Sequence, residues 1–87
     1  MIQEEEIKRM RWASRRGMLE LDLVLEPFVN DCYPRLDERD RQRYRRLMEC
    51  EDQELFAWFL RREEPEDAEL AAIVRQVLEH KRGAAGA

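Results

Sequence analysis

The sequence predicts an all-α fold, a compact bundle of five short helices. Apolar residues recur at helical spacing, most clearly Leu70, Ile73, Val74, Val77 and Leu78, which follow i, i+3, i+4, i+7 and i+8. Acidic residues able to cap a helix (Asp37, Asp52, Asp67) precede three such runs, and Pro34 and Pro65 interrupt the chain between them. Only Leu19 to Leu25 alternates at the period of a strand, and no second alternating segment exists to pair with it.

The first helix is expected over Glu4 to Arg15. Its acidic start and basic end suit the helix dipole, and Ile7, Met10 and Ser14 mark a thin inward face before Gly17 stops or bends it. In the next stretch Leu19, Leu21, Leu23 and Leu25 alternate with Glu20, Asp22, Val24 and Glu26, which taken alone reads as β. Met18, Leu21, Leu25, Phe28, Val29 and Cys32 also fall on one helical stripe, and a strand without a partner is unstable, so a helix is predicted. Pro27 removes a backbone donor and should kink or divide it.

After a turn at Pro34, Asp37 caps a third helix with Tyr44, Leu47 and Met48 facing inward and an outer face that is almost wholly charged. Asp52 caps a fourth, in which Leu55, Phe56, Phe59 and Leu60 supply core area and Pro65 prevents continuation. Asp67 caps the fifth, where Lys81, Arg82 and Gly83 form a cationic last turn and a stop. Residues 1–82 should form a single helical domain, and 83–87, "GAAGA", a flexible tail. Trp12 and Trp58 are expected as buried anchors. Trp12 also sits beside the Arg-Gly junction, within reach of a partner.

A chain of 87 residues can bury a modest core, but it is short for a catalytic cleft with supporting residues of its own. Sixteen Lys plus Arg stand against twenty Asp plus Glu, a net charge of -4, and a polyanion binder needs a basic excess. Nucleic acid is therefore disfavoured. Cys32 and Cys50 show no metal-ligand spacing and read as reduced, inert thiols in a cytoplasmic protein. No apolar run approaches the roughly 18 to 20 residues of a membrane span, and "MIQEEEIKRM" is too acidic for a signal or transit peptide.

Catalytic constellations are scarce. His80 is the only histidine, without the partner that acid-base chemistry or metal binding requires. Ser14 is the only serine and has no base nearby in sequence. The arginines of "RDRQRYRR", Arg39 to Arg46, could contact phosphate around an interleaved tyrosine. Asp37, Glu38, Asp40, Glu49 and Glu51 surround them at helical neighbour spacings, and a solvent face laced with salt bridges accounts for them better. An enzyme is not predicted, and no cofactor or metal is expected to be held.

The densest stretch is "RRGMLELD", Arg15 to Asp22. Arg16 and Glu20 are four apart, and an i,i+4 ion pair at a helix junction is one account of them. The other uses the missing side chain: Gly17 lets another backbone approach closely, while Arg16 and Glu20 orient the visitor with opposite charges. Composition does not decide between these. On helix geometry Glu20 points away from the stripe of Leu21, Leu25 and Phe28 and should be exposed.

"WASRRGMLELD" resembles the signature of the SdhE-like family of succinate dehydrogenase flavinylation factors, whose hallmark is Arg-Gly-x-x-Glu. "LMECEDQELFAWFL" is similar to the family's second block, and "DAELAAIVR" to its last helix, so the resemblance covers nearly all of Trp12 to Arg75. Some members carry proline where this chain has Gln53. The resemblance implies a five-helix fold and an assembly factor with no catalytic group of its own; the free protein is expected to be a monomer and, from its hydropathy, not to insert into a membrane. Its partner would be the flavoprotein subunit of succinate dehydrogenase, with fumarate reductase as a second candidate client. The implied role is to promote covalent attachment of FAD by favouring a conformation in which the subunit's own histidine attacks the flavin. The motif maps onto Arg16, Gly17 and Glu20, with Asp22 as a flanking acid, as the partner-binding residues. Some members of the family carry a different role, as antitoxin-type regulatory binders, and no residue here favours it.

Overall fold

Side-chain capping sets the starts of the last three helices in the computed structural model, which describes the backbone of residues 3–86 and the side chains of residues 3–82. Five α-helices form in chain order: α1 (Glu4–Ala13), α2 (Leu19–Asp31), α3 (Glu38–Met48), α4 (Asp52–Phe59) and α5 (Ala68–Gly86). A short 3₁₀ turn, Tyr33–Arg35, links α2 to α3, and no strand occurs among the described residues. The alternation across Leu19 to Leu25 is thus helical, as the missing partner strand required.

Asp37 caps α3, its Oδ1 accepting from the Asp40 N–H at 2.8 Å. Asp67 caps α5 by accepting from the N–H groups of Glu69 and Leu70 at 2.8 and 3.1 Å. The cap of α4 differs from the one expected. Glu51 occupies the cap position, with the Glu54 side chain accepting from its N–H at 3.1 Å, and Asp52 is the first helical residue. Two stops also differ. α1 ends at Ala13 and not at Arg15, because the Ser14 hydroxyl donates back to the Met10 carbonyl at 2.7 Å and Arg15 N–H closes a tighter turn onto the Trp12 carbonyl. α5 continues through Gly83 to Gly86, consistent with the modest cost of one glycine inside a helix, about 1 kcal/mol. The flexible tail expected over 83–87 lies outside the described side chains, and residue 87 lies outside the description altogether.

Pro27 sits inside a continuous α2 and does not divide it. The carbonyl its missing N–H would have served belongs to Leu23, a residue open to solvent, where water can replace the lost bond.

α2 runs through the middle of the bundle and packs against α1, α4, α5 and the 3₁₀ turn. Its inward stripe of Leu21, Val24, Leu25, Phe28 and Val29 meets Tyr44 and Leu47 of α3, Leu55 and Phe59 of α4, and Ile73 and Val77 of α5 in one core. The Phe28 and Tyr44 rings stack with centroids 5.5 Å apart, and Tyr33 tilts against Tyr44 at 5.4 Å. Trp58 is half-buried against this core. Trp12 is not in it: 78 % of its surface is exposed. Met10 and Ser14 define the inward side of α1, and Trp12, two residues from each, is about 200° around the helix from Met10.

Candidate functional site

The turn between α1 and α2 is held from inside by two polar knots. In the first, the buried Ser14 hydroxyl lies 2.6 Å from the Tyr44 hydroxyl and 3.6 Å from the Met48 sulfur, tying the end of α1 to α3. Burial pushes the Tyr44 hydroxyl well above its usual pKa, against the opposing effect of its bond to Ser14, so it stays protonated. The chain's single serine is thus a fully enclosed structural group.

The second knot is Arg16. Its Nε donates to Asp52 Oδ1 at 2.7 Å, and its terminal nitrogens donate to the carbonyls of Ala13 (3.0 Å), Met48 (3.0 Å) and Cys50 (2.7 Å). Its backbone N–H donates to Asp22 Oδ1 at 2.9 Å. Only 15 % of the Arg16 side chain remains exposed. One guanidinium fork thus gathers the end of α1 and the α3–α4 connection, while its main chain anchors α2 through Asp22. The i,i+4 pair with Glu20 does not form, because residues 15–18 are not helical and the Arg16 side chain turns inward. This also explains why Asp52 is not the cap of α4: its carboxylate receives Arg16.

Gly17 follows at φ +80°, the left-handed region where a side chain is disfavoured, and a Cβ built there would meet nothing within 4 Å. The turn's backbone therefore favours glycine, and its outer side is open. Glu20, in the first turn of α2, is exposed as helix geometry predicted, and its carboxylate takes part in none of the hydrogen bonds or ion pairs among the described residues. Leu19 and Leu23 on the same helix are exposed by 70 % and 62 %. The four residues of the motif thus divide: Arg16 and Asp22 are joined in the interior of the turn, whereas Gly17 and Glu20 face outward. An open groove lined by Met18, Asp52, Gln53, Phe56, Ala57 and Arg61 adjoins the same turn.

The remaining polar clusters are engaged within the fold. On α3, Arg41 and Arg45 bind Glu38 at 2.9 Å each, and Arg43 joins Asp40 at 2.7 Å and Glu69 at 2.8 Å. Arg46 joins Asp67 at 2.9 Å. The sequence foresaw the paired face, but several partners come from other helices (Glu6, Asp67, Glu69) instead of Glu49 and Glu51. Glu6 also accepts from the Tyr33 hydroxyl at 2.7 Å; burial, aided by that carboxylate, pushes the Tyr33 pKa up to about 12. His80 places Nδ1 3.4 Å from Cys32 Sγ and Nε2 3.3 Å from Asp31. Cys32 and Cys50 are free, and burial, the largest cause for each, raises both thiols above their ordinary value, which keeps them protonated and sluggish as nucleophiles. Among the described residues no group of three or more His, Cys, Asp or Glu is arranged to hold a metal ion, and no helix is long and apolar enough to cross a membrane.

Comparison with known proteins converges on one family. The family model Sdh5, described as flavinator of succinate dehydrogenase, matches residues 8–81. The FAD assembly factor SdhE of Pseudomonas aeruginosa is 57 % identical over 79 residues, covering 91 % of this chain and 94 % of its own length. The proteins of the same name in Shewanella oneidensis and Aliivibrio fischeri are 55 % and 40 % identical, over 82 % and 92 % of this chain and 87 % and 93 % of theirs. The solution structure of a UPF0350 protein superposes with a TM-score of 0.77 at 38 % identity, covering 97 % of this chain and 89 % of that one.

Proposed function

The chain belongs to the family of flavinators of succinate dehydrogenase, and we propose that it is an FAD assembly factor that binds the flavoprotein subunit of that enzyme and promotes covalent flavin attachment there. Fumarate reductase, whose flavoprotein carries out the related reaction, is the second client in this proposal. The observation that carries the role of the motif is its division: Arg16 and Asp22 hold the turn from inside, so that Gly17 and Glu20 are presented outward without internal partners.

In this mechanism the bond-forming groups belong to the partner, whose own histidine attacks the flavin. The assembly factor needs only to bind the reactive conformer of the flavoprotein more tightly than the others, since differential affinity alone shifts the population toward it. A rigid surface serves this purpose better than a mobile one, because a contact ordered in advance loses less entropy on docking. The Arg16 clasp supplies that rigidity.

Covalent flavin, scored by in-gel fluorescence of the flavoprotein in cells supplied only with each variant, tests the assignment. Glu20→Gln preserves shape and removes charge. Gly17→Asn adds bulk to the open side of the turn with a residue that tolerates positive φ. Both proteins should be folded, and both should flavinylate the partner poorly, Glu20→Gln because losing a charge paired across a desolvated contact costs about 2 to 5 kcal/mol. Wild-type flavinylation by both would remove Gly17 and Glu20 from the working surface.

A further inference from the structure

The three large apolar side chains that stand exposed among the described residues all lie between positions 12 and 23: Trp12 at 78 %, Leu19 at 70 % and Leu23 at 62 %. Folding gains little from them where they are. Trp12 projects from the last turn of α1, opposite its buried face, and Leu19 and Leu23 are one turn apart on α2, opposite Leu21 and Leu25. The Gly17 turn lies between the two helices. Charged groups border the set: Arg11 on α1 and Arg15 in the turn after it are exposed, and Arg15 reaches Glu26 of α2 at 3.6 Å. An apolar centre with a charged margin is the anatomy of a protein interface, and tryptophan is among the side chains that most often carry its binding energy.

We propose that Trp12, Leu19 and Leu23 are the apolar anchor with which this chain docks on the flavoprotein subunit, and that Arg16 is a positioning residue which holds the anchor in place without touching the partner. The proposal rests on the functional reading above and deepens it. Continuity fixes the occupant: Glu20 is adjacent to Leu19 and three residues before Leu23, its neighbour on the helix surface, so a partner that desolvates Glu20 covers both leucines as well. A second copy of the chain fits this face poorly, since a twofold contact would set like Glu20 carboxylates near one another in a desolvated interface. Arg16 acts from beneath, because its fork fixes the end of α1 on which Trp12 stands and its N–H fixes the start of α2 that carries Leu19 and Leu23.

The test titrates purified flavoprotein subunit with wild type, Trp12→Ser, the double variant Leu19→Ser/Leu23→Ser, Glu20→Gln and Arg16→Lys by calorimetry, with circular dichroism as a check on folding. Both anchor variants should fold as wild type and bind roughly thirtyfold more weakly or worse. Arg16→Lys should weaken binding less, and a Trp12 carrying a fluorinated indole should report the clasp through its ¹⁹F resonance, shifted and broadened in free Arg16→Lys protein. An unchanged resonance there, or Arg16→Lys weakening binding as much as the anchor variants, overturns the positioning role. Wild-type affinity in both anchor variants, with Glu20→Gln still weakened, overturns the anchor and leaves the functional reading standing. No complex between wild type and the flavoprotein overturns that reading itself. A wild-type dimer on a sizing column that Trp12→Ser converts to monomer assigns the face to a second copy and overturns the proposed occupant.

Discussion

The outer face of α3 and the face around Gly17 are built from opposite materials. On α3, Arg41, Arg43, Arg45 and Arg46 each find a carboxylate within 3.0 Å, some on the same helix and some on α5. Around Gly17 an acidic side chain and three large apolar ones face solvent. The charge-dense segment reads in sequence as a salt-bridged solvent face, and its arginines are paired with carboxylates within the fold, although Arg43 Nε is buried without a partner among the described residues. The segment that carries the Arg-Gly-x-x-Glu motif is the one with surface left uncommitted. In the proposed reading a docking face in this small fold is marked by groups without a partner inside the molecule, and not by the density of charge.

The largest effect that can break this contrast is at Arg16, the buried charge that holds the Gly17 turn to the end of α3 and the α3–α4 connection. Arg16→Ala leaves three carbonyls and the half-exposed Asp52 without their donor and should cost about 2 kcal/mol in urea unfolding. Arg16→Lys, which keeps the charge but not the fork, should recover only part of that loss. If Arg16→Ala unfolds like wild type, the clasp does not hold the turn.

A smaller and more diffuse effect is expected from acid. Hydrogen bonds from Arg41 and Arg45 to Glu38, from Arg46 to Asp67 and from Arg43 to Glu69 hold these carboxyls below their usual range. A lowered folded-state pKa contributes stability that is complete above the unfolded value and is lost as pH falls through the folded one. The thermal midpoint should therefore hold from neutral pH to about pH 5 and decline below about pH 4. Salt should blunt that decline, because the carboxylates are solvent-exposed. A midpoint indifferent to acid would mean that the paired face is ornamental to stability.

The smallest effect belongs to the other face. Leu19→Ser/Leu23→Ser and Trp12→Ser remove side chains that bury little, and each should change unfolding free energy by within about 0.5 kcal/mol. A loss of several times that size would show that these residues are part of the core after all, and the contrast between the two faces would fail.

Periodicity and caps by themselves determined that this chain makes five helices and which of their sides face inward. Those signals act between residues three or four apart, so Asp37 and Asp67 cap where they stand and Leu70 to Leu78 form one stripe in any setting. The motif at Arg16, Gly17 and Glu20 was legible through its resemblance to a family signature, and the exposure of Glu20 through helix geometry. The fate of Arg16 was not, since its partners Met48, Cys50 and Asp52 lie more than thirty residues away and reach it only once α3 and α4 have packed. Nor was the placing of Trp12. A tryptophan's bulk argues for burial, but α1 is held to the core through Met10 and Ser14, and a helix fixed on one side turns the opposite side to water whatever stands there.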